Sequence, residues 1–140
     1  MRDMLHNIAS TISSKFAART KAAGAVTGEV IDLRGYNGAR IDCISGALGA
    51  QVNDYEFEIK EADAAAGAFT AVADEDLLGS EPTFTKDAET DESDTVKSLA
   101  YVGPKAFIQV NLKAPTGDGT GSGVLGAIVH KGFARHAPVS

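Results

Sequence analysis

Period-two alternation constrains this chain more than any motif it carries. Tyr55, Phe57 and Ile59 alternate with Glu56, Glu58 and Lys60; Ala106, Ile108, Val110 and Leu112 alternate with Phe107, Gln109, Asn111 and Lys113. Successive side chains of a strand point to opposite faces, so this pattern sets an apolar face against a wet one. Several such segments, split by Gly, Pro, Asp and Ser turns, predict an all-β fold, an antiparallel β-sandwich or jelly-roll-like barrel. Strands are expected over 25–33, 39–45, 55–61, 69–72, 96–102, 106–113 and 124–130. Asn37-Gly38 reads as a hairpin turn. Gly103-Pro104-Lys105 reads as a compact turn that makes the strands on either side of it neighbours. Asp74 to Gly79 reads as a tight turn or a single helical turn before Pro82.

A chain of 140 residues has room for one domain and one core. Much of its apolar content is Ala, and Trp is absent, which suits thin β-layers and leaves a share of the stability to partner subunits. The expected division is an N-terminal arm over 1–22 and one β-sandwich domain over 23–140 that ends in a C-terminal tail. Met4, Ile8, Ile12 and Phe16 recur every fourth residue, the stripe of an amphipathic helix. Thr11 to Ser14 is poor in helix formers, however, so a short helix and an extended arm are both open. Charge is uneven: residues 1–22 carry +3 and 131–140 carry +2, which leaves −11 of the net −6 on the body between them. An acidic body excludes generic nucleic-acid binding. No run reaches the roughly 20 apolar residues of a membrane helix. The N-terminus offers Arg2 without a continuous apolar stretch before a cleavage site, so a chain made in the cytoplasm without a secretory signal is expected.

Side chains able to do chemistry are scattered. Cys43, the single cysteine, shares its strand phase with Ala39 and Ile41 and reads as a small buried hydrophobe. Asp87, Glu89, Asp91, Glu92 and Asp94 crowd carboxylates into one stretch, yet lack the glycine turn and distal Glu of a calcium loop, so a solvated loop is expected. The glycine-rich 114–123 segment leads into a strand instead of a helix, and no Gly-Lys-Ser/Thr follows it. It reads as an exposed hairpin tip. His6, His130 and His136 have no assignable serine or cysteine partner, and no nucleophile elbow, His-Glu-x-x-His or cofactor motif is present. No catalytic, cofactor-binding or metal-ligating residue is therefore assigned, and a non-enzymatic part is expected.

Several strings nevertheless resemble small structural proteins of tailed bacteriophages. They are Met1-Arg2-Asp3-Met4 with Asn7-Ile8, Val30-Ile31-Asp32-Leu33-Arg34-Gly35-Tyr36, and Tyr55 to Asp63. Ala71 to Gly79, Tyr101-Val102-Gly103-Pro104-Lys105 and Ala134 to Val139 continue the likeness over nearly the whole chain. The resemblance implies a virion component. The reading adopted is a capsid decoration or cement protein that binds the major capsid protein shell and stabilises it as a homo-oligomer, a trimer, on the capsid surface after assembly in the host cytoplasm. Residues 2–16 and 131–139 are then the expected contact segments. A neck, head–tail connector or minor tail protein is the alternative. A glycan-binding β-sandwich displayed on the virion, with Tyr36, Tyr55 and Tyr101 as its tyrosine candidates, is the second.

Overall fold

The alternating segments pair into two antiparallel sheets in the computed structural model, which describes residues 8–49, 53–117 and 121–134. Sheet A contains β1 (Ala9–Thr20), β3 (Tyr36–Leu48), β6 (Leu77–Leu78), β8 (Val96–Tyr101) and β10 (Ser122–Ala134), in the order β1-β10-β3-β8-β6. Sheet B runs β2 (Val30–Asp32), β9 (Phe107–Leu112), β4 (Asn53–Ala62) and β5 (Thr70–Ala71), and β7 (Thr83–Lys86) also pairs with β4. The steps from β1 to β2, β2 to β3, β3 to β4, β8 to β9 and β9 to β10 all cross between sheets. That winding is a jelly roll, and the all-β sandwich read from the alternation is the fold observed. No helix among the described residues is long and apolar enough to cross a membrane.

The core lies between the sheets. Ile41, Cys43, Leu99, Leu125 and Val129 from sheet A meet Phe57, Ile59, Ile108, Val110 and Leu112 from sheet B, all of them buried. On β7, Phe84 meets Phe57 edge-on, with centroids 6.0 Å apart and planes at 80°. Cys43 points inward with Ala39 and Ile41, and burial pushes its thiol well above the ordinary range, with Asp42 and Glu81 adding to the shift. Phe107 and Gln109 occupy the outward phase of β9 yet are also buried. The Arg34 guanidinium lies 5.1 Å from the Phe107 ring centroid, and the Gln109 amide donates to the Gly28 carbonyl at 2.8 Å.

Two turns differ from the sequence reading. Asn37-Gly38 lies inside β3 and makes no hairpin, since β2 and β3 belong to opposite sheets. Gly35 takes the positive φ, at 89°, and the chain turns at Arg34-Gly35. Gly103-Pro104-Lys105 likewise joins strands of opposite sheets, β8 and β9. It folds over Tyr101, whose hydroxyl accepts from the Lys105 amide at 3.0 Å and donates to buried Glu61 at 2.6 Å. The helical alternative for 74–79 is seen as a 3-10 turn over Asp74–Asp76 leading into β6.

Of the stretch read as an arm or helix, Ala9–Thr20 is extended and built into sheet A as β1, paired with β10. Its register shifts between Ile12 and Ser14 and again between Ser14 and Ala17. The first shift turns Ser13 toward sheet B. Ser13 Oγ accepts from the Val110 amide at 3.0 Å and donates to the Glu29 carbonyl at 2.9 Å, while the Glu29 amide donates to the Ser13 carbonyl at 2.7 Å. Gly28 lies so close to this junction that a Cβ there would run into the Val110 carbonyl oxygen. One serine thus stitches an edge of sheet A to sheet B.

Candidate docking face

Each strand of sheet A buries one phase against sheet B and shows the other outward. The outward residues of β3 are Arg40, Asp42, Ile44 and Gly46, and the register places Gly126 and Val96 beside Ile44, and Ile128 and Ser98 beside Asp42. On β1, Ile12 pairs with Ile128, and Phe16 lies over Gly126, where a Cβ would come within 2.6 Å of its ring. Ile12, Phe16, Ile44, Val96, Val124 and Ile128 therefore form an apolar ridge across four adjacent strands. A face meant for water would carry polar residues at these positions. Among the described residues, exposed large hydrophobics are concentrated here: Leu78 is 62% exposed, Val96 54%, Ile12 and Val102 46%, Phe16 42% and Val124 38%, with only Val30 elsewhere.

Beyond the ridge the same face dips. Outward Gly38 and Gly132 pair across β3 and β10, and with Ala100 they leave a trough of about 820 Å³. Leu78 and Val102 flank it on the β6 side, Ile8 and Ser10 on the β1 side. A Cβ at Gly132 would meet no atom within 4 Å, so the space exists because a side chain is missing.

A polar network forms the wall of the trough on its ridge side: Ser10, Arg40, Asp42 and His130 all line it. His130 Nε2 is 3.0 Å from Asp42 Oδ2, and His130 Nδ1 is 2.7 Å from Ser10 Oγ. Asp42 also accepts from Ser98 Oγ at 2.6 Å and from Arg40 Nε at 2.8 Å. Burial raises the Asp42 pKa, but the Ser98 hydroxyl, the Arg40 guanidinium and His130 outweigh it and hold the carboxyl below the usual range. With a proton on Nε2, the imidazole donates to Asp42, and Nδ1 can accept from the Ser10 hydroxyl. Ser, His and Asp in hydrogen-bond sequence have the connectivity of a nucleophile relay. Such chemistry also needs donors aimed at a developing oxyanion, and Arg40, the cation of this network, is committed to Asp42 and Ser98. The network ties β1, β10, β3 and β8 together and neutralises the middle of the face.

The other residues singled out in the sequence have structural roles. Asp87 Oδ1 caps the amides of Glu89 and Thr90, Asp91 pairs with Lys86, and Glu92 accepts from the Thr85 amide at 2.8 Å and pairs with Lys97 at 2.6 Å. No group of three potential metal ligands occurs among the described residues. Tyr55 and Tyr101 are buried, and Lys131 Nζ sits 4.8 Å from the Tyr36 ring centroid, so none of the three is a free stacking platform. The 114–123 segment leads into β10, with Thr116 bridged to Asp54, and its residues 118–120 lie outside the described set. His6 and His136 lie outside it as well. Sequence reasoning missed the face itself. Its signal was present in the run Val124-Leu125-Gly126-Ala127-Ile128-Val129, which is apolar in both strand phases and so marks a strand covered on both sides. No protein-family model, curated protein or solved structure matches this chain.

Proposed function

We propose that this chain is a structural, non-enzymatic part of a tailed-phage virion, a decoration protein that docks on the shell built by the major capsid protein and stabilises it. The observation that carries the reading is the apolar outer face of sheet A, a surface suited to being covered by protein. The resemblance of the sequence strings supports the virion setting, and the small sandwich suits a repeated surface part. Of the expected contact segments, 9–16 belongs to β1 and 131–134 to β10, so these parts lie on the sheet face, while 2–7 and 135–139 lie outside the described residues. The ridge residues Ile12 and Phe16 fall within the first segment. Buried Tyr55 and Tyr101 weaken the glycan-binding alternative.

Quantitative mass spectrometry of purified particles against the major capsid protein tests this. A ratio near one copy, or a simple fraction of a copy, per capsid subunit is expected. A handful of copies per particle moves the protein to the neck or tail, and absence from particles overturns the virion reading.

A further inference from the structure

We infer that a second copy of this chain covers the outer face of sheet A, with the two copies related by a two-fold axis. The inference takes the same face on which the decoration reading rests, so a copy seated there leaves contact with the shell to the other surfaces of the dimer.

The face is self-complementary along the strands. Its ridge centres on Ile44 and Gly126, its trough on Gly38 and Gly132, and the two are six residues apart on both β3 and β10. Six residues of strand span about 20 Å. A two-fold axis lying in the plane of the interface, perpendicular to the strands and midway between ridge and trough, passes over the Asp42–His130 contact and sets the ridge of each copy over the trough of the other. In an isologous interface each patch must fit its own image, and a bump and a hollow placed symmetrically about one axis satisfy that condition. Two sheets stacked this way pack about 10 Å apart at roughly −30°, as sandwich layers do.

Charge permits the same occupant at this face. The chain carries a net −6, so two copies repel each other through most orientations. At the centre of this face the charged groups Arg40 and Asp42 are already paired at 2.8 Å, so approach here brings no uncompensated like charge together. Size agrees as well. Three strands of 12 or 13 residues, β8 with six and β6 with two, about 4.8 Å apart and rising about 3.3 Å per residue, present roughly 700 Å². A standard interface buries about 800 Å² per partner.

Sedimentation equilibrium of the purified full chain tests the inference. The wild type should have twice the chain mass, with a dissociation constant of about 1 μM or tighter. Val96→Lys and Ile12→Lys place charge on the ridge at positions exposed in the single chain, and each should weaken association at least about tenfold. Gly132→Phe fills the trough where the single chain has room for a side chain, and should do the same from the opposite element. Val30→Lys, exposed but on sheet B, should leave the mass at the dimer value. Circular dichroism and the melting temperature confirm that each variant folds. A wild-type monomer at about 100 μM, a trimer, or a dimer that neither the ridge nor the trough variants weaken would overturn the inference. A dimer absent from particles would leave it standing while removing the virion reading.

Discussion

Ser13 and Ser14 are adjacent on β1, equally buried at 1% exposure, and bonded in opposite ways. Ser13 Oγ holds the Val110 amide at 3.0 Å and the Glu29 carbonyl at 2.9 Å. Ser14 Oγ finds no partner among the described residues. Replacing Ser13 with Ala removes one oxygen and strands two backbone groups in the junction between the sheets. A buried polar group left unpaired costs about 1–3 kcal/mol, and with some relaxation of the junction the loss should total about 2–4 kcal/mol. At about 3 °C per kcal/mol for a chain of this length, the melting temperature should fall by about 6–12 °C. Ser14→Ala deletes the same atom from a site where it bonds nothing, and should be neutral or stabilising by up to about 1 kcal/mol. Urea unfolding followed by far-UV circular dichroism compares the two variants without reference to function. Equal losses for both, or a Ser13→Ala midpoint within about 0.5 kcal/mol of wild type, would refute the claim that this hydroxyl joins the sheets.

Three further outcomes follow from the same bonding. Tyr101→Phe removes the hydroxyl that satisfies buried Glu61 and the Lys105 amide, and calorimetry should show a loss of about 2–3 kcal/mol. Glu81 accepts from the Ile59 amide at 2.6 Å, and burial raises its pKa, so the folded state resists its charge above the ordinary glutamate value. Glu81→Gln should therefore raise the urea midpoint at pH 7, whereas Glu81→Ala, which strands the amide, should lower it. The carboxyls of Asp32, Asp42, Asp91 and Glu92 are held below their ordinary values, Asp91 at about 2. Their stabilisation is complete at neutral pH and drains away as pH falls from about 4 toward 2, so urea midpoints should decline across that window, and a flat profile would contradict the pairing.

The strands were legible because burial enforces phase. Tyr55 to Lys60 and Ile108 to Leu112 alternate apolar with polar residues, since Tyr55, Phe57, Ile59, Ile108, Val110 and Leu112 meet the core. Partners were not legible. Asn37-Gly38 and Gly103-Pro104-Lys105 carry turn chemistry, but a local turn does not say whether the chain returns in its own sheet or crosses to the other. β1 was obscured by spacing: Ile8, Ile12 and Phe16 recur every fourth residue, and four is both one helical turn and two strand repeats. The bulge that buries both Ser13 and Ser14 then breaks the alternation that would have decided the question. The Ser10–His130–Asp42 network joins residues as far as 120 positions apart, and only the β1-β10-β3 register brings them together. The apolar face lay hidden in the outward phase, where Ile44 and Ile128 alternate with core residues and so look like more core.

Hydroxyl-radical footprinting of the purified protein tests the central claim, that the outer face of sheet A is covered in the working form. Phe16, Leu78 and Val96 are exposed in the single chain, and so is Val30 on sheet B. The account predicts that the first three are protected well below the reactivity their exposure dictates, while Val30 reacts at the rate its exposure sets. Phe16, Leu78 and Val96 each reacting at the rate set by its side-chain type and its exposure in the single chain would contradict it.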